Sequence, residues 1–379
     1  MLPLIALLPV LTWLYLLTWR GGFWRSTRQL LPWCAADAAA GSVVAIVPAR
    51  NEADVIGAAV GSLLQQDFPA RLHVIVVDDG SSDGTSGRAR EAARALDAQD
   101  RLTVIDGKPP PADWRGKPWA MAQGVVAAGT LAPDFLLFTD ADIQHAPRAL
   151  AQLVGNAERG RCELLSCMVQ LQARSPAERW LIPAFVFFFF MLYPPAWVGS
   201  ARRSTAAAAG GCMLMRPAGL ERIGGLQAIR SQIIDDCALA RALKAAGGSV
   251  WLGLTPWSSS LRPYGSAAAI GQMISRSAFN QLRHSYLLLL ATLAGLFLTY
   301  LLPLLLLFSG NTLAAALAVV ALSMMSLSYL PMVRFYKVPA WWAATLPAVA
   351  LFYAAASVHS AWQYARGRGG RWKGRAQDV

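Results

Sequence analysis

Long apolar stretches at both ends of this chain constrain its fold more than any other feature. Leu2 to Trp19 runs without a charged residue, long enough for one helix through a hydrocarbon core of roughly 30 Å. Three further candidates come late: Leu287–Phe308, Thr312–Val333 and Ala340–Trp362, joined by the short links Ser309-Gly310-Asn311 and Arg334-Phe335-Tyr336-Lys337. The 379 residues are 55% hydrophobic and only 15% charged, whereas soluble domains average about a quarter charged. A multi-pass membrane protein is the class expected. No basic residue precedes the first apolar run and no small-residue cleavage site follows it, so 1–20 reads as an uncleaved anchor and not a signal peptide. Arg20, Arg25 and Arg28 follow the run and place that side in the cytoplasm. Three late spans over 285–363 then carry the basic tail, 364–379, to the outside, against the same tendency. Either one late segment does not cross fully, or the tail is an exception to that tendency.

The net charge of +12 does not gather on a nucleic-acid reading element. Its basic residues flank the apolar stretches, where they suit anionic headgroups, and no nucleic-acid partner is expected. Five cysteines and four histidines are scattered without zinc-ligand spacing, and reduced structural thiols are the plain reading. Leu181–Tyr193, closed by Pro194-Pro195, is too short to span comfortably. It reads either as a buried core helix or as an in-plane or re-entrant element at the membrane interface.

Between the apolar ends lie roughly 250 residues, enough for one sizeable core. Over 36–284 the pattern alternates. Val43–Pro48, Val74–Val77, Leu102–Ile105 and Phe135–Thr139 read as strands. Helical spacing follows at Ile56, Val60, Leu63 and Leu64, at Ala89, Ala93 and Leu96, and over Trp119–Ala128. Such alternation predicts an α/β fold, a mostly parallel sheet flanked by helices. Ligands of such sheets bind beyond the carboxyl ends of the strands. The polar clusters all fall there: Arg50-Asn51-Glu52 after the first strand, Asp78-Asp79 after the second, Asp140-Ala141-Asp142 after the fourth.

Each cluster has a chemical reading beside a bland one. Asp140 and Asp142, one residue apart at a strand end, can share a divalent ion completed by diphosphate oxygens, though Asp is also common in turns. Asp78 and Asp79 can accept hydrogen bonds from a base or ribose; two adjacent acids at a buried strand end are unfavourable unless something pairs with them. Lys117, just before a helix, can balance those acids or stay solvated. Asp235-Asp236 starts a helix, where acids are favoured anyway; the pair can equally supply a general base, each acid raising the other's pKa. Arg276 and Arg283, leading into the late spans, are headgroup-facing or bind phosphate.

Val47-Pro48-Ala49-Arg50-Asn51-Glu52, the run Val77 to Thr85, Thr139-Asp140-Ala141-Asp142 and Ile234-Asp235-Asp236, in this order, resemble the family 2 glycosyltransferases. The resemblance implies a GT-A fold and inverting, metal-dependent transfer from a nucleotide-sugar, a UDP-sugar first among the candidates. It implies donor contacts at Pro48, Arg50, Glu52, Asp78, Asp79, Lys117 and Asp140, an Mg2+ or Mn2+ ion at Asp142 with Asp140, and Asp236 as base beside Asp235. Arg20-Gly21-Gly22-Phe23-Trp24, Leu181 to Phe189, Thr205 to Leu214 and Leu261-Arg262-Pro263-Tyr264 are similar to the bacterial hopene-associated glycosyltransferases. That likeness implies a link to hopanoid metabolism and a lipid or hopanoid acceptor, with Gly210, Gly211, Arg276 and Arg283 as acceptor or phosphate candidates. Many family members carry Glu-Asp where this chain has Asp235-Asp236. The Gln-x-x-Arg-Trp signature of processive synthases is missing, which favours transfer of single sugars. The rival readings are a nucleotidyltransferase, which can share strand-end acids, and a non-catalytic membrane scaffold.

Overall fold

The computed structural model describes residues 1–34 and 41–368. The tail expected over 364–379 therefore lies outside the described residues from residue 369 on. The chain forms two compact units. One comprises Gln29–Gln172 and Trp197–Arg262; the other comprises Met1–Arg28, Ala173–Ala196 and the chain from Pro263.

The first unit is built on eight strands: β1 Val43–Ala49, β2 Leu72–Asp78, β3 Leu102–Asp106, β4 Phe135–Thr139, β5 Ile143–His145, β6 Leu164–Gln170, β7 Cys212–Met215 and β8 Val250–Ser260. Their order across the sheet is β3-β2-β1-β4-β7-β6-β8-β5. The parallel expectation holds for β3, β2, β1 and β4. Beyond β4 the sheet is mixed, because β7 runs antiparallel to both β4 and β6 while β6 and β8 are parallel. β1 and β4 are buried at every position, as continuous apolar runs in a covered sheet must be. Helix Ala53–Leu64 sends Ile56, Val60, Leu63 and Leu64 into that core, the face its spacing predicts.

The order matters for function. The chain builds outward from β1 through β2 to β3, then returns to place β4 on the other side of β1. The carboxyl ends of β1 and β4 thus flank a topological switch point, where the loops diverge and leave a crevice for ligand. All five cysteines are free.

The second unit is helical. Among the described residues, four helices are long and apolar enough to cross a membrane: Pro176–Val198, Tyr286–Leu306, Thr312–Phe335 and Ala340–Ala365. Two segments differ in extent from their reading in the sequence. Leu2–Thr18 ends at 17 residues, about 26 Å at 1.5 Å per residue, and falls below that length. The segment read as Leu181–Tyr193 is longer, because Ser175 and Glu178 form a capping box that starts the helix at Pro176. Pro176–Val198 is also the most enclosed of the four, 61% buried against 22%, 33% and 39% for the others.

Tyr286–Leu306 contains a π-helical turn at Phe297–Leu301. Pro303 has no N–H to give the Thr299 carbonyl, four residues back. The Trp13 indole donates to that carbonyl at 3.1 Å and packs edge-on against Tyr300. A carbonyl orphaned in an apolar unit is thereby satisfied, and the N-terminal helix is tied to the late ones.

Candidate active site

Four strand ends converge in the sheet unit. After β1, Arg50 donates to the Asp79 carbonyl and lies 3.6 Å from its carboxylate. Asn51 takes a left-handed φ of 50°, and its side chain accepts from Ser82 N–H at 2.9 Å. Asp78 accepts from Ser81 N–H and from the Ser86 hydroxyl. The acid pair read as needing a ligand is therefore partnered within the protein: Asp78 by its own turn, Asp79 by Arg50. Pro48 is buried inside β1. Glu52 pairs with Arg262.

After β4, Asp140 meets the Lys117 ammonium at 2.7 Å. Asp142 accepts from the Ser260 hydroxyl at 3.1 Å and lies 3.5 Å from Arg262 Nε. Arg262 thus bridges Glu52 and Asp142, joining the β1 loop to the end of β8. The side chains of Asp140 and Asp142 retain 36% and 19% of their exposure, so both carboxylates still present oxygen to solvent. Oxygen donors of this kind fit Mg2+ or Mn2+. Among the described residues no group of three or more His, Cys, Asp or Glu gathers to hold a metal. The remaining coordination would have to come from phosphate oxygens and water.

Lys117 also reaches Asp235, at 3.7 Å. Desolvation would neutralise it, but Asp140, Asp235 and Asp236 outweigh that and push its pKa up. Asp236 accepts from Gly210 N–H at 2.8 Å and Cys237 N–H at 2.6 Å. Its pKa is raised to about 6, first by burial and then by the Asp235 charge, with Lys117 opposing. One oxygen of Asp235 is buried without a hydrogen bond. A Cβ on Gly210 would lie 3.2 Å from the Lys117 ammonium and 3.3 Å from Asp236, so any larger residue would crowd both side chains and oblige them to shift by a few tenths of an ångström. Gly210 spends its N–H on Asp236, and the Gly211 carbonyl accepts from the Thr139 hydroxyl at 2.9 Å. Arg276, on helix Ala267–Gln281, and Arg283, just beyond it, belong to the helical unit.

Sequence reasoning missed a buried polar chain behind these groups. His145 Nε2 lies 3.0 Å from Thr139 Oγ1, and Nδ1 lies 2.8 Å from Ser258 Oγ. Burial pushes the His145 pKa down to about 4, so the ring is neutral. The Thr139 proton is already committed to Gly211, so Nε2–H donates to Thr139 and Nδ1 accepts from Ser258. The chain fixes the last residue of β4, next to Asp140, against the backbone beside Gly210. A cavity of about 340 Å³ lies on the other flank of His145, lined by Ser62, Gln65, Gln144, Pro147 and Trp257. It contains none of the acids.

Residues 40–274 match the family described as glycosyltransferase-like family 2. The chain belongs to that family. As a whole it is similar to a mannosyltransferase from Pyrobaculum calidifontis solved with GDP-Man and Mn2+, with 21% identity, a TM-score of 0.54, and coverage of 96% of this chain and 99% of that one. At that identity the likeness establishes the GT-A-type fold. A 4,4'-diaponeurosporenoate glycosyltransferase of Staphylococcus aureus is 41% identical over 103 residues, 27% of this chain and 24% of that protein. The chain thus spans about a quarter of the length of the curated relatives it matches. Of its site residues, Arg262 lies inside a quoted motif, Leu261 to Tyr264, but nothing in the spacing marks it as the partner of Asp142. His145 carries even less signal, since its partners Thr139 and Ser258 come from two other strands.

Proposed function

We propose that this glycosyltransferase moves a single sugar, with inversion, from a nucleotide-sugar to a lipid acceptor at the cytoplasmic face of the inner membrane. The observation that carries this reading is the Lys117 ammonium held by Asp140 on one side and Asp235 on the other. It brings Asp140 and the Asp235-Asp236 pair around one ammonium, the juxtaposition that a displacement at the anomeric carbon calls for.

In this reading Asp79, fixed by Arg50, accepts from the base or ribose of the nucleotide, Lys117 meets its diphosphate, and Asp140 with Asp142 would hold a Mg2+ or Mn2+ ion. When bound, that ion neutralises charge growing on the leaving diphosphate. Asp236, oriented by the Gly210 and Cys237 N–H groups, takes the acceptor hydroxyl proton as its oxygen attacks from the face opposite the leaving group. A carboxylate with a pKa of about 6 is ionised at neutral pH yet basic enough to share a proton in the transition state. The helical unit supports a lipid acceptor, as does the relative named for 4,4'-diaponeurosporenoate. The hopanoid link rests on the hopene-associated motifs alone.

The test is to incubate the purified protein in lipid with UDP- and GDP-sugars and a hopanoid-containing extract. A mass increase of one hexose on a lipid supports the reading. A ladder of hexoses refutes single transfer, and donor turnover that never labels lipid refutes the acceptor class.

A further inference from the structure

Both strand-end acids already have a cation of the protein's own. Lys117 sits 2.7 Å from Asp140; Arg262 sits 3.5 Å from Asp142 and is held from behind by Glu52. No third His, Cys, Asp or Glu joins them among the described residues. A hydrated divalent ion gives up water reluctantly. Two carboxylates that are already neutralised offer it little in exchange, and a fixed ammonium nearby repels it.

We propose that Lys117 is a positioning residue that excludes a free divalent ion from Asp140 and admits it only together with a nucleoside diphosphate. This rests on the metal reading given above. The diphosphate brings the negative charge that lets the ammonium leave Asp140. The ammonium does not become stranded, because Asp235 is already within 3.7 Å and has a buried oxygen with no hydrogen bond. Gly210 fits the same picture: its missing side chain leaves the space beside the ammonium and the Asp236 carboxylate that any Cβ would crowd. Donor loading and the acid pair are thereby linked through one side chain. An ion bound without substrate would hold Lys117 away from its place, and the wild-type arrangement disfavours that state.

The experiment is a Mn2+ titration of the full chain in detergent, read by electron paramagnetic resonance, with Mn2+ alone and with UDP or GDP added. Wild type is expected to bind Mn2+ at least about tenfold more tightly when the nucleoside diphosphate is present, the range of ordinary coupling between two ligands. Lys117→Gln and Lys117→Met are expected to bind Mn2+ alone at least about tenfold more tightly than wild type and to lose most of that coupling, whereas Lys117→Arg keeps the wild-type pattern. Arg262→Gln, at the other acid, is expected to raise the affinity for free Mn2+ independently. Folded Lys117→Gln or Lys117→Met protein that binds free Mn2+ no better than wild type overturns the proposal while leaving the metal site intact. Wild type that binds no Mn2+ even with either nucleotide overturns the metal reading, and the proposal with it.

Discussion

Replacing Asp236 by Asn tests the base directly, and the site allows its side effects to be worked out. The carboxylate accepts two backbone N–H groups, from Gly210 and Cys237. Asn keeps one acceptor oxygen and turns an NH2 toward the other donor, which costs about 1–3 kcal/mol. Against this stands the shift of the Asp236 pKa from 3.8 to about 6. A raised acid pKa means that the fold favours the protonated form. The resulting destabilisation is absent below pH 3.8, grows between there and about pH 6, and is complete above it. Two pK units at about 1.4 kcal/mol each give about 3 kcal/mol at pH 8. Asn escapes that term, so at pH 8 the two effects nearly cancel and the variant should melt close to wild type. At pH 5 wild type has regained roughly half of the 3 kcal/mol, and the variant should fall behind. Turnover should drop by about 10² to 10⁴, the usual worth of a general base, with donor affinity unchanged. Wild-type kcat should fall below about pH 6 as Asp236, faced by Asp235 and Lys117, takes up its proton. Sugar transfer from labelled donor and thermal unfolding at the two pH values read all of this. Unchanged turnover refutes the base, and a stability gap independent of pH refutes the raised pKa.

Asp142→Ala should weaken nucleoside diphosphate binding about tenfold, and chelation should weaken wild type but not the variant, as calorimetry will show. His145→Leu should leave donor affinity intact and lower kcat about tenfold through misplacement of the Gly210–Gly211 backbone. Thr139→Val should do the same, and the double variant no more than either, since the two act through one chain; additive losses with unaltered kcat relative to KM would leave His145 only a packing role. Trp13→Phe removes the donor to the Thr299 carbonyl, which costs about 1–2 kcal/mol, visible as a lower melting temperature with the site's Mn2+ response unchanged.

The parallel half of the sheet and the strand-end acids were legible because both are local signals. A buried parallel strand writes itself as a continuous apolar run, and a ligand-facing turn as the acids that end it. The mixed half was not legible, because β7 is four residues long and owes its place to partners on both sides rather than to its own pattern. The fate of Asp78 and Asp79 was half legible. Their burial could be read from the sequence, but Arg50, Ser81 and Ser86 as their partners could not. Arg262 shows the same limit over a longer reach: it meets Glu52 from 210 positions away, and no spacing encodes that.

Length and composition are not the only observations that bear on the helix at Pro176–Val198. By length and hydropathy it ranks with the crossing helices. Chain connectivity argues otherwise. The residues before it, up to Gln172, and those after it, from Trp197, belong to the same sheet-bearing unit. One complete passage through a bilayer would leave those two flanks on opposite sides, and one folded sheet cannot be divided in that way. Its burial agrees, since Leu181, Ile182, Ala184, Val186, Phe187 and Phe190 are all enclosed, whereas a lipid-facing helix would expose such residues. The four consecutive phenylalanines therefore serve packing inside the helical unit. Phe187 meets Phe23 and Tyr329 with ring centroids 5.2 and 5.1 Å apart, spacings at which aromatic pairs hold a helix in place. The connectivity and the aromatic contacts weigh against a simple span, and they suit both readings of this segment from the sequence, a buried core helix and an in-plane or re-entrant element.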